Sequence, residues 1–173
     1  FLVIRGVFPR DFEHVIVDSG VNWWFKVRRM KDYPSWYLNI YPRIAERLTR
    51  EYGDAVWVTL PDYPSDYHCN PLENNRERTL ANVERFINYD ANWLVVLQSR
   101  FYDVDDFRLA CRQYREMVGD YPRLAIGVLC TSARLEYALK VCRMARQWFP
   151  YSWIHVFGPN IRWLPRISAY INS

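Results

Sequence analysis

A chain of 173 residues, half of them hydrophobic and 17% aromatic, can bury the core of one domain and lacks the polar excess of a disordered segment. Its formal charge of +4 suits a polyanionic partner without requiring one, and no run of about 18 apolar residues offers a membrane span. The four cysteines, Cys69, Cys111, Cys130 and Cys142, contain no C-x-x-C pair, so neither a zinc ribbon nor a disulfide framework is supported and buried thiols are expected.

In chain order, the opening FLVIRG reads as a strand. It is too short, and too soon interrupted by Arg5, to be a signal peptide, which leaves the cytoplasm as the expected location. VIV (15–17), AVWVTL (55–60), WLVVLQ (93–98), LAIGVL (124–129) and WIHVFG (153–158) are short, β-branched and nearly continuous, as parallel strands covered on both faces should be. Between them the period becomes helical. Trp36 to Arg50 makes one helix that Pro42 should start or kink, and Leu80, Val83, Phe86 and Ile87 mark a second. A third follows the start signal at Asp103 to Asp106, with Phe107, Ala110, Cys111, Tyr114, Met117 and Val118 on its apolar face. Leu135, Ala138, Leu139, Cys142 and Ala145 give a fourth after Thr131 and Ser132. The Asp62 to Asn75 connection is long and polar, a candidate functional loop.

Such alternation builds either an open doubly wound sheet or a closed barrel. A full barrel needs about 250 residues, so five or six strands predict an incomplete barrel or an open sheet, one domain over residues 1–173. The missing initiator Met and the stop at Asn172 and Ser173, with no terminating helix, are what a piece of a longer protein would show.

Site-forming residues of parallel β/α scaffolds gather at the carboxyl ends of the strands. Asp18, Ser19 and Gly20 follow the first strand of this set, where an Asp serves equally as a helix cap. Asp62 closes the next in LPDYPSD, a loop stiffened by two prolines and carrying a second acid, Asp66. Gln98 ends a third strand and can offer a donor and an acceptor to a planar heterocycle, or simply satisfy loop backbone. Gly127, inside IGVL, marks either close approach to a ligand or a packing constraint. His155 has no second His or Cys at ligand spacing and is read as a hydrogen-bonded core residue. The remaining arginines and lysines, Arg76, Arg143 and Arg146 among them, read mostly as solvated faces, with those in strand-end loops able to meet phosphates.

Taken in order, VDSG (17–20), LPDYPSD (60–66), RERTLANVERF (76–86), WLVVLQ, LAIGVLC (124–130) and IHVFG (154–158) resemble the guanine transglycosylase superfamily, over nearly the whole chain. That superfamily holds the tRNA-guanine transglycosylases and the enzymes that place 7-deazaguanines in DNA. LPDYPSD, the helix with Thr79 and Asn82, and IGVLC look more like the DNA-modifying branch.

The resemblance implies a (β/α)8 TIM-barrel-like fold, incomplete here, and exchange of guanine for a 7-deazaguanine by double displacement on DNA rather than tRNA. It implies Asp18 as the proton-transfer group, Asp62 reading the guanine edge, Gln98 on the purine carbonyl and Gly127 completing the base pocket. Partners would be DNA or tRNA, the deazaguanine base and a second protein or a second copy of the chain, with no membrane, no cofactor and no metal. Two departures stand out. Val21 replaces the second glycine usual in tRNA-type members, and the nucleophilic Asp, which the family carries in an S-x-D or S-D segment of the last strand, is expected just past Ser173. A non-catalytic nucleic-acid-binding homologue or subunit, and an open-sheet protein that binds a free nucleobase, are the alternatives.

Overall fold

The structure, a computed structural model, describes residues 13–65, 75–129 and 134–173. FLVIRG, Asp66, Cys69, Cys130 and the Thr131–Ser132 start signal lie outside these residues.

Five strands stand where the apolar runs place them: β1 (Val15–Val17), β2 (Val56–Thr59), β3 (Trp93–Leu97), β4 (Arg123–Ile126) and β5 (Trp153–Val156). All pair in parallel, in the spatial order β1-β2-β3-β4-β5. A doubly wound sheet reverses its strand order at a switch point, and no reversal occurs here. The sheet is instead a curled half-barrel, in which every crossover advances in one direction. Along the β5 edge the chain returns: Asn172 N–H donates to the Ile154 carbonyl at 2.8 Å and Val156 N–H to the Ser173 carbonyl at 2.9 Å.

Alternating side chains divide the sheet into two apolar layers. Val56, Val58, Trp93, Val95, Leu97, Leu124, Ile126, Ile154 and Val156 pack with the helices. Trp57, Leu94, Val96 and Ala125 form a second cluster on the opposite face, with Ile16, Trp153 and Phe157 against it. Burial on both faces explains why the strands read as continuous apolar runs.

The helices are α1 (Ser35–Tyr52), α2 (Asn75–Phe86), α3 (Val104–Val118), α4 (Leu135–Trp148) and a short α5 (Leu164–Ile167). Pro42 neither starts nor ends α1. It sits within the helix on the buried face, where its ring packs and the Leu38 carbonyl goes without its usual N–H. The Asp103 carboxylate caps α3 by accepting from the Asp106 N–H at 2.9 Å, and Gly119, at φ +64°, follows its end. On α4, Ala138, Val141, Cys142 and Ala145 are buried and let the helix lie close to its neighbours. The Cys111 and Cys142 thiols are free and buried, which pushes each pKa up to about 12.

One element was not foreseen and three local expectations are corrected. A π-helical turn, Asn22–Val27, follows β1, with the Arg28 N–H reaching the Trp23 carbonyl at 2.9 Å. Gly127 lies one residue beyond β4 rather than inside it. Arg76, expected on a solvated face, is buried. The β5 strand is followed by α5, a helix too short to carry an apolar period.

Candidate functional site

Ser19, Asp62, Gln98 and Gly127 converge at the carboxyl edge of β1 to β4. Gln98 Nε2 donates to Asp62 Oδ2 at 2.6 Å, joining residues 36 positions apart in sequence. Ser19 Oγ lies 3.5 Å from the other Asp62 oxygen. A Cβ built on Gly127 would stand 2.2 Å from Gln98 Nε2 and 2.8 Å from Val96 Cγ1. The bare glycine therefore makes room for the Gln98 amide to lie across the end of β4, which answers the question left by its place in the sequence. Asp62 and Gln98 are 5% and 1% exposed, not solvent-facing as their strand-end positions suggest. Gln98 Oε1 and Thr59 Oγ1 are buried without a hydrogen-bond partner.

Asp18 stands apart from these four. It is exposed, and its Oδ1 accepts from the Gly20 N–H at 2.5 Å, stabilising the turn in which Gly20 takes φ +79°. The carboxylate thus orders its own turn, and the neighbouring Ser19 is what reaches Asp62.

Polar side chains of α2 hold the loop that carries Asp62. Pro61 and Pro64 have no N–H, but their carbonyls need donors: Asn82 Nδ2 serves Pro61 at 2.9 Å and Asn75 Nδ2 serves Pro64 at 3.0 Å. Thr79 Oγ1 accepts the Tyr63 N–H at 2.9 Å. Its own proton goes to the Asn75 carbonyl, 2.8 Å away. The same helix contributes Arg76, whose Nε meets Asp106 Oδ1 at 3.2 Å while a second nitrogen bonds Gln113. Asp106 Oδ2 accepts the Arg100 N–H at 2.8 Å, so this buried ion pair anchors the loop that follows Gln98. One helix face therefore fixes both loops whose residues meet at 2.6 Å.

Tyrosines complete the frame from the α1 side. Tyr33, Tyr37 and Tyr41 donate to the carbonyls of Asp62 (3.0 Å), Ser19 (2.6 Å) and Thr59 (2.8 Å). Burial raises all three phenol pKa values well above the usual, so they remain neutral donors. Sequence reasoning missed them, though their spacing at i, i+4 and i+8 was a signal, because a buried Tyr hydroxyl needs a partner.

His155 keeps Nδ1 2.9 Å from Ser173 Oγ and stacks parallel to Trp153 at 6.0 Å. Among the described residues no three His, Cys, Asp or Glu side chains converge as metal ligands, and no helix is long and apolar enough to cross a membrane.

No family model, curated protein or solved structure matches the chain. Any functional assignment therefore stands on the residues themselves.

Proposed function

We propose that the chain is the base-binding part of a guanine-exchanging transglycosylase, acting on guanine in nucleic acid, DNA rather than tRNA, and installing a 7-deazaguanine. One observation carries this: Asp62 and Gln98 are buried side by side against Gly127 at the strand ends, with Gln98 Oε1 unpartnered. Guanine presents N1–H and N2–H donors beside the O6 acceptor. A carboxylate and a primary amide side by side complement that edge, and a base entering would take over bonds the two now make to each other.

The sheet order supports completing the half-barrel as a (β/α)8 barrel, with residues 172–173 on the edge where a next strand would lie. In this scheme a carboxylate on that next strand attacks C1′ and guanine departs with the bonding electrons. The deazaguanine then displaces the carboxylate from C1′ after giving up its ring N–H proton. Asp18, exposed on the turn next to Ser19, would carry the proton between the two bases once that turn opens. A base in duplex would have to leave the stack first.

Incubating labelled 7-deazaguanine with DNA and, separately, tRNA and the full-length protein tests this. Incorporation into DNA is expected, and incorporation into neither polymer by folded protein rejects the proposal. Gln98→Ala and Asp62→Ala should each weaken guanine binding by about 1–3 kcal/mol, read by calorimetry. Unchanged affinity with lowered stability would make the pair purely structural.

A further inference from the structure

We infer that the segment from the π-helical turn through α1 is a docking surface for a single nucleic-acid strand, with Trp23 and Trp36 stacking on bases and the flanking cations meeting phosphates. Trp23 and Trp36 are 46% and 57% exposed, and Val27 and Ile40 lie open beside them. Soluble proteins seldom leave two indoles in water without a use, and every base offers a face to stack on. Trp36 is held in place from beneath, edge-on to Trp24 at 5.9 Å and to Tyr37 at 6.0 Å.

Charge points to the same partner. Lys26, Arg28, Arg29 and Lys31 fall within ten residues that contain no acid, all four are exposed, and none forms an ion pair among the described residues. The next carboxylate along the sequence, Asp32, is already engaged by Arg78 at 3.2 Å. Residues 22–52 hold seven Lys and Arg against three Asp and Glu, a local +4 that equals the formal charge of the whole chain. Elsewhere the charges balance.

Position is the third observation. The Trp24 N–H donates to the Gly20 carbonyl at 2.9 Å and Tyr37 bonds the Ser19 carbonyl, so the surface begins at the turn whose Ser19 reaches Asp62. Trp36, Ile40, Arg43 and Arg47 follow at i, i+4, i+7 and i+11 along α1, a line of about 16 Å. A linear track running from that turn suits a strand better than a membrane plane, although Trp with Lys and Arg also suits an anionic bilayer. The inference rests on the base-exchange proposal for the strand's direction toward the pocket, not for binding itself.

Fluorescence anisotropy with labelled oligothymidylate, oligouridylate and a duplex tests it. Single strands should bind, with log affinity falling against log salt at a slope near −3 for about four phosphates. Trp36→Ala and Trp23→Ala should each weaken binding about 5- to 100-fold, with Trp36→Tyr restoring most of the loss. The double variant Arg28→Gln, Lys31→Gln, at exposed positions that leave the fold intact, should flatten the salt slope by about 1.4. The DNA and RNA arms show whether the 2′-hydroxyl matters. Absence of single-strand binding, binding untouched by these variants, or binding to phosphatidylserine vesicles in place of oligonucleotides overturns the inference. Base exchange that persists undiminished in the tryptophan variants also overturns it. Strand binding through this surface without any base exchange would sustain it and reject the transglycosylase proposal alone.

Discussion

The β1–β3 end of the molecule and the β4–β5 end are built on different physics. Of eleven buried polar side chains among the described residues, ten lie between Ser19 and Asp106, and Ser152 alone belongs to the later part. The apolar faces of α3 and α4 pack Phe107, Ala110, Cys111, Val141, Cys142 and Ala145 by shape, and α3 meets the other side through Asp106 at its first turn. The β1–β3 side hangs its loops from Asn82, Asn75, Thr79, Arg76 and three tyrosines. Apolar packing tolerates any residue of about the right volume, whereas a buried polar network fixes one geometry and loses heavily when a single member goes. The candidate site lies on the side where geometry is fixed.

The comparison predicts two large effects of similar size and different character. Phe107→Ala should cost about 3–5 kcal/mol through cavity formation, read by urea unfolding, while guanine binding survives in the folded fraction. Arg76→Ala should also cost about 3–5 kcal/mol, because Asp106 is left buried and unpaired, and here guanine affinity should fall as well. The double replacement Arg76→Met, Asp106→Leu should recover most of the stability but not the affinity, since the Arg100 N–H loses its acceptor. If both ends respond alike in affinity, the division between them is wrong.

Gly127→Ala comes next, at about 1–3 kcal/mol. The new methyl would drive the Gln98 amide away from Asp62, and Val96 Cγ1 at 2.8 Å blocks an easy escape. Chemical shifts of the Gln98 side-chain amide protons should move from those of a carboxylate-bonded group toward those of a solvated one. No movement would show that the glycine merely fills a turn.

This division also explains what was legible beforehand. The apolar side announces itself through period: all five runs became strands and the four long helices stand where expected, because burial leaves a pattern at local spacing. Met117 is nonetheless exposed, and on α4 Tyr137 and Val141 are buried where Leu135 and Leu139 are only half-buried. The polar side does not. Arg76 looks like a surface residue until Asp106, 30 positions away, is placed beside it, and only the fold makes that pairing. Gln98 and Asp62 were recognised by position at strand ends, but their mutual bond and burial depend on the β2–β3 alignment, which no local pattern encodes. The π-helical turn at Asn22–Val27 carries no periodic signal, so the exposure of Trp23 came only with the structure.

Smaller effects should test the tyrosine frame. Tyr41→Phe removes the donor to the Thr59 carbonyl and should cost about 0.5–1.5 kcal/mol by urea unfolding, with the neighbouring Tyr33 and Tyr37 bonds intact. A larger loss, extending to guanine affinity, would mean the three phenols act as one cooperative unit.

The β5 end offers a pH dependence in place of a loss at fixed pH. Burial among Trp153 and Phe157 lowers the His155 pKa from 6.5 to about 4. Between those values the unfolded chain binds the proton that the folded chain refuses, so acid favours unfolding. The contribution to stability is complete above pH 6.5, declines as pH falls toward 4, and levels off below it. His155→Gln keeps a polar partner for Ser173 and cannot titrate. The gap between wild type and this variant, measured by urea unfolding across the range, should therefore narrow or reverse in favour of the variant as pH drops. Every other group is common to both proteins and cancels in the difference. A gap independent of pH would place the imidazole in water, and the face of the sheet opposite the helices would then be wetter at β5 than its aromatic packing implies.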